Sequence, residues 1–160
     1  VVYNKYWEPF CLNKITEQQA FQGVIDELKF DFSWEEMVRM YLETHTINQM
    51  MVDYIKELRK KYKVILLTKN IKHYLDWERK KFGLDNMFDD IINTSEINLP
   101  KASRETLNYV LDRYQIKPEE ILYVDDQEAN LEEAGKMGMS VVLYKNFEQV
   151  KSEFEKILNN

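Results

Sequence analysis

The sequence predicts an α/β protein: a Rossmann-like, three-layer arrangement with a parallel sheet, helices on both faces, and a small helical cap. Three observations lead there. Short apolar runs of strand length, Val64 to Leu67, Ile121 to Val124 and Val141 to Tyr144, alternate with longer helical patterns, as βαβ units require. Two capping boxes, Thr16 to Gln19 and Ser33 to Glu36, open consecutive helices with no strand between them, which reads as a helical cap. The run at Ile121 ends on two adjacent carboxylates, Asp125 and Asp126. In an open α/β sheet the carboxyl end of a buried strand is where ligands bind.

Composition narrows the class. A chain of 160 residues is long enough for one substantial core and too short for two full domains. Apolar residues at 44% and aromatics at 13% argue against disorder, and a net charge of -6 describes an ordinary acidic surface. Nucleic acid is excluded as a partner because no basic stripe exists to neutralise phosphates. The densest basic run, Lys56 to Lys63, alternates with apolar residues and reads as a solvated helix face. Cys11 is the single cysteine, so neither an internal disulfide nor a thiolate metal cluster can form. No apolar stretch approaches the roughly 20 residues that span a bilayer, and the first residues lack a signal-peptide pattern. A soluble, cytoplasmic protein without a membrane partner is the expectation, and a homodimer stays open.

In chain order, Val1-Val2-Tyr3 begins abruptly in apolar residues and reads as the far edge of a preceding core segment. Asn4 to Asn13 is aromatic and reads as irregular. The first capping box opens a helix to about Leu28, and the second opens one to about Glu43. Ile47, Met50, Met51, Tyr54, Ile55 and Leu58 then follow helical spacing, which predicts an amphipathic helix ending near Tyr62. The strand at Val64 closes on Thr68-Lys69-Asn70. A helix from about Ile71 to Phe82 stops at Gly83, a short strand lies within Phe88 to Ile92, and a loop leads to the helix of about Ser103 to Tyr114. Pro118 marks the turn into the Ile121 strand. The helix after Asp126 runs to about Met137, and a last amphipathic helix follows the Val141 strand. The cap is thereby residues 4–46, and the α/β core is residues 1–3 and 47–160.

Thr68, Lys101 and the Asp125-Asp126 pair fall at the ends of strands or in the loops after them. A carboxylate pair supplies hard oxygen ligands for Mg²⁺, a lysine balances phosphate charge, and a hydroxyl can hold phosphoryl oxygens. Each has a plainer reading. Asp126 suits a helix N-cap, Thr68 alone a structural cap, and Lys101 alone a surface lysine. Two acids side by side repel, so the doublet favours a cation. His45 and His73 have no second ligand at metal spacing and read as structural.

The runs Val64 to Thr68, Lys101 to Thr106, and Ile121 to Ala134 resemble the second, third and fourth motifs of the haloacid dehalogenase (HAD) superfamily. The last is the most specific. It is similar to the form found in sugar-phosphate phosphatases and in the phosphatase domain of soluble epoxide hydrolases, and Lys14 to Phe21 resembles the short helical cap of that branch. The resemblance implies that Thr68 and Lys101 bind the phosphoryl group, with Lys101 also orienting the nucleophile. It implies that Asp126 ligates Mg²⁺ directly, that Asp125 acts through water or by support, and that Asn130 holds the loop. Lys69 stands where the family often has Asn, which makes Asn70 the substrate contact by position. Ala102 and Asn98 depart from the usual Pro and Gly.

The family's first motif, a strand ending in Asp-x-Asp that supplies the nucleophile, is absent from the sequence. In the resembling fold that strand is central, so its loss would leave unpaired interior edges. The expectation is therefore of roughly 10 to 15 further native residues upstream, by typical strand and loop lengths. The implied function is a Mg²⁺-dependent phosphatase of a small phosphorylated metabolite through an aspartyl-phosphate, incomplete without that nucleophile. A non-catalytic binding module of the same fold and a metal-free haloacid dehalogenase are the alternatives. Tyr6, Trp7, Phe10 and Trp34 are predicted to help the cap select substrate.

Overall fold

Helix α1 (Val2–Cys11) opens the chain where an irregular aromatic stretch is predicted. Trp7, Phe10 and Cys11 follow helical spacing, and all three are buried, so burial on one face outweighs Pro9, which lies in the last turn. The computed structural model describes the backbone of residues 2–158 and the side chains of residues 5–158. Val1 lies outside the described residues, and Val2 and Tyr3 belong to α1 rather than to a strand. The fold divides into two compact units, Val1–Asn98 and Leu99–Asn160.

In the first unit both predicted capping boxes form. Thr16 Oγ1 accepts from Gln19 N while Gln19 Oε1 accepts from Thr16 N, and Ser33 and Glu36 repeat the exchange. They start α2 (Glu17–Leu28) and α3 (Trp34–Thr44). Trp7, Phe10, Cys11, Ala20, Phe21, Ile71 and Tyr74 make one aromatic-rich core, with Trp34, Tyr41 and other residues of α3 packed against it. The aromatics expected to select substrate are thus largely packing groups. Gly23 permits the close approach of α1 and α2, because a Cβ there would lie 2.3 Å from the Tyr6 ring.

Helix α4 (Gln49–Leu58) then leads to β1 (Ile65–Thr68), α5 (Lys72–Phe82) and β2 (Asp90–Asn93). Gly83 closes α5 at φ +67° in the left-handed region, as its sequence position predicts. β1 and β2 pair in parallel, with Thr68 opposite Asn93. The first two residues of the stretch expected to hold a short strand stay outside β2, which runs one residue past it. Asp89 instead receives Val64 N at 2.7 Å and the Arg59 guanidinium at 2.9 and 3.1 Å, anchoring the entry to the ladder.

The second unit contains α6 (Arg104–Tyr114), β3 (Leu122–Asp125), α7 (Glu128–Lys136), β4 (Ser140–Leu143) and α8 (Phe147–Leu158). β3 and β4 pair in parallel, with Asp125 opposite Leu143. Leu107, Ala134 and Met139 form its core, flanked by Leu111, Ile121, Tyr123 and Met137. The α/β class and the parallel pairing follow the prediction, but the described strands form two separate two-stranded ladders rather than one continuous sheet. Each strand therefore has a ladder partner on one side only. None of the described helices is long and apolar enough to cross a membrane.

Candidate active site

β3 delivers Asp125 to the carboxyl end of its ladder, where the side chain is 3% exposed. A buried carboxylate needs partners, and three donors supply them. Lys101 Nζ donates to Oδ2 at 2.7 Å, while Gln127 N and Asn130 Nδ2 each donate to Oδ1 at 2.9 Å. Burial works to raise this carboxyl's pKa, but the Lys101, Asn130 and Gln127 hydrogen bonds outweigh it and hold the group below the usual carboxylate range. Backbone pairing adds rigidity, since Tyr144 N donates to the Asp125 carbonyl at 2.8 Å.

The loop before α6 brings in Lys101. Ser103 caps α6 by accepting from Thr106 N, and the buried Thr106 hydroxyl donates to Pro100 O at 2.7 Å. Those two contacts fix the chain on either side of the lysine. Tyr123 lies two residues before Asp125 on β3, which puts both side chains on one face. Its hydroxyl is buried without a hydrogen-bond partner, and burial together with the Asp125 charge keeps the phenol protonated. Asp126 is exposed. It is not the N-cap of α7, a place taken by Gln127 without a side-chain cap.

At the end of β1, Thr68 is half-buried and its carbonyl accepts from Thr94 N at 2.8 Å. Asn70, predicted by position to contact substrate, is buried and engaged internally. Its Nδ2 donates to Glu78 at 2.8 Å, its Oδ1 accepts from Ile71 N at 2.8 Å, and its backbone N donates to Asn93 Oδ1 at 3.1 Å. An amide held this way shapes the loop. The buried Asn93 Nδ2, Thr94 Oγ1 and Ser95 Oγ have no hydrogen-bond partner, three consecutive residues at the end of β2.

Lys101, Asp125 and Asn130 are therefore brought together as the motif spacing implies, with Asp126 next in the chain; Thr68 and Asn70 lie together at the end of β1. The Gln127 N–H, the Glu78 contact and the Asn93 scaffold were not foreseen. Asn93 carries the faint signal of a polar residue ending an apolar run, whereas the contact of Asn70 with Glu78, eight residues on, carries none. As for a metal, no group of three or more His, Cys, Asp or Glu that could hold one occurs among the described residues. Mg²⁺ is commonly held through only one or two carboxylates with water and phosphate completing its shell. An exposed Asp126 beside a carboxylate already engaged by three donors fits that mode with one protein ligand free.

The fold and site correspond to a known class of hydrolase. Residues 10–144 match the model of the family described as haloacid dehalogenase-like hydrolase, and the chain belongs to that family. It is 28% identical over 135 residues to mouse bifunctional epoxide hydrolase 2, a match covering 79% of this chain and 24% of that protein. It is 34% identical over 100 residues to the glyceraldehyde 3-phosphate phosphatase of Methanocaldococcus jannaschii, covering 61% of this chain and 42% of that one. The chain thus spans well under half of the length of these relatives. Among solved structures, a HAD family enzyme of Bacteroides thetaiotaomicron in complex with magnesium and inorganic phosphate superposes with a TM-score of 0.73 at 21% identity, over 91% of this chain and 78% of that one. A predicted HAD-like family hydrolase of Porphyromonas gingivalis gives 0.78 at 21% identity, over 97% and 79%.

Proposed function

We propose that this hydrolase-family chain carries the phosphate- and metal-binding part of a Mg²⁺-dependent phosphatase acting on a small phosphorylated metabolite. The observation that supports this best is the Lys101–Asp125 pair, buried on the acid side and seated beside the exposed Asp126. Phosphoryl transfer depends mostly on positioning and on stabilising charge that develops on the phosphoryl oxygens. Lys101 gives one N–H to Asp125 and keeps two for a phosphoryl oxygen. Asp125 holds the ammonium in place, and Asn130 with Gln127 N fixes Asp125. The Thr68 hydroxyl, which has no hydrogen-bond partner among the described residues, keeps in this reading the role that the motif resemblance implies for it, binding a phosphoryl oxygen. Asp126 would hold Mg²⁺, which would supply neutralisation of phosphate charge.

An aspartyl-phosphate route also requires a carboxylate nucleophile, and the 160 residues contain no Asp-x-Asp. Phosphate release from an aryl phosphate by the natural protein tests the reading. EDTA should abolish it, and Asp126→Asn should lower it by on the order of a hundredfold, as loss of a metal contact does. Activity that survives either treatment sinks the metal role.

A further inference from the structure

The chain has two histidines, and each faces a glutamate across the same boundary, between helices α1 to α3 and helix α5. His73 of α5 stands 3.0 Å from Glu17 at the start of α2, and the buried Tyr74 donates its hydroxyl to the same Glu17 oxygen. His45, the C-terminal cap of α3, stands 3.8 Å from Glu78 of α5, and Glu78 also accepts from Asn70 Nδ2 at 2.8 Å. Along α5 between the two pairs, Tyr74 packs on Trp7, Phe10 and Tyr41. An apolar seam is thus tied by a histidine at either end. The same seam borders a cavity of about 840 Å³ in the first unit, within the range of small-molecule sites. The end of α1 with the start of α2, the first turn of α5 and the loop after β2 wall it, and Glu17 and His73 are themselves wall residues. Access to it therefore depends on how firmly α2 sits on α5.

The charges around both histidines are few. Lys14, Lys72 and Glu96 line the cavity with His73, and Lys72 lies 3.5 Å from Asp76 and 3.4 Å from Glu96. Burial, and next the Glu17 bond, keep the Tyr74 phenol protonated, and burial pushes the Cys11 thiol up to about 11. Around His45 stand Lys81, whose Nζ donates to the His45 carbonyl at 3.1 Å, and the edge-on Tyr41 ring. His45 Nδ1 is buried without a partner, so a charge on this half-buried ring is answered at Nε2, by Glu78. The histidines are then the groups whose ordinary titration falls nearest neutrality. A neighbouring carboxylate favours the charged imidazole, so each tie contributes fully below the ordinary histidine value of about 6.5 and is lost as pH rises through the folded value. Burial raises the Glu78 carboxyl against the pull of His45 and Asn70. A raised carboxyl also gives stability that is lost as pH rises, so the two signs agree.

We propose that His45 and His73 form a proton-operated latch that holds α2 and α3 on α5 in mild acid and loosens above neutral pH, opening the cavity to a small ligand. The latch is independent of the phosphatase reading. Its test is the labelling of Cys11, a buried wall residue, by an aromatic disulfide in the natural full chain, followed by mass spectrometry of the Cys11 peptide at about pH 5.5 and about pH 8, on either side of histidine titration. Dividing each rate by that of the denatured chain at the same pH removes the pH dependence of the thiolate itself. Protection should be about fivefold higher in mild acid than in mild base, since exposed His73 makes a weak pair and half-buried His45 a somewhat stronger one. His45→Gln combined with His73→Gln should bring that ratio close to one. Glu78→Gln, which keeps an acceptor for Asn70, should lower it to about twofold. Protection that does not change with pH in the parent chain, or a ratio unchanged in the double variant, overturns the latch. Amide exchange in α8, in the second unit, separates a local opening from global unfolding. It should keep the same protection at both pH values once intrinsic rates are removed, and loosening of α8 in step with Cys11 also overturns the latch.

Discussion

The ends of β3 and β2 stand at equivalent places in their ladders and are finished in opposite ways. At β3 a buried carboxylate has three donors on its two oxygens. At β2 an amide nitrogen and two hydroxyls in consecutive residues are buried with no partner. The first arrangement is self-sufficient: removing a neutral donor leaves the buried carboxylate short of a hydrogen bond, and removing Lys101 leaves its charge unpaired. The second leaves hydrogen-bonding capacity unused next to a cavity that Ser95 itself lines. One end is closed by its own hydrogen bonds, and the other keeps three polar atoms unengaged.

The largest effect should come from breaking the finished end. Lys101→Met strands the Asp125 carboxylate and should lower stability by about 3 kcal/mol, as loss of one member of a buried pair does, measured by denaturant unfolding. The pH profile checks the same contact. Asp125 has a lowered folded pKa, so its contribution is fully present above the unfolded value of about 3.9 and is lost as pH falls through the folded value. Asp125→Asn should flatten stability in that acidic window. A profile unchanged by the substitution contradicts the network.

Gly23→Ala tests whether packing in the first unit is as tight as the wiring of the second. With a Cβ 2.3 Å from the Tyr6 ring, overpacking should lower unfolding free energy by about 2 kcal/mol. A neutral result would mean that the ring swings away freely. The smallest effects sharpen the contrast most directly. Thr106→Val removes a buried hydroxyl that donates to Pro100 O and should reduce stability by about 1 kcal/mol. Thr94→Val removes an equally buried hydroxyl with no partner and should be neutral or slightly stabilising. Equal losses at the two positions would erase the distinction between a finished and an unfinished strand end.

Much of the local structure was legible in the sequence because its causes are local. Thr16 and Ser33 each cap a helix through residues three positions on, and Gly83 stops α5 because φ +67° suits glycine. The Lys101–Asp125–Asn130 set was legible through its motif spacing, as a resemblance. Helix α1 was not, because Pro9 and the density of aromatics obscured a helical period that only burial against Phe21 and Tyr74 makes decisive. Asn70 also misled, since its amide is claimed by Glu78 and Ile71 N.

By itself the sequence determined the order of the helices and strands from α2 onward, the starts of the capped helices, and the placing of an acidic pair after a buried strand. These follow from interactions between residues a few positions apart, which a linear chain displays directly. Only the tertiary structure decided which of the two acids is buried and bonded and which is exposed, and that Asn70 shapes its loop. Each of those depends on partners brought near by folding, and the strength of a charge or hydrogen bond is set by how much water that packing removes.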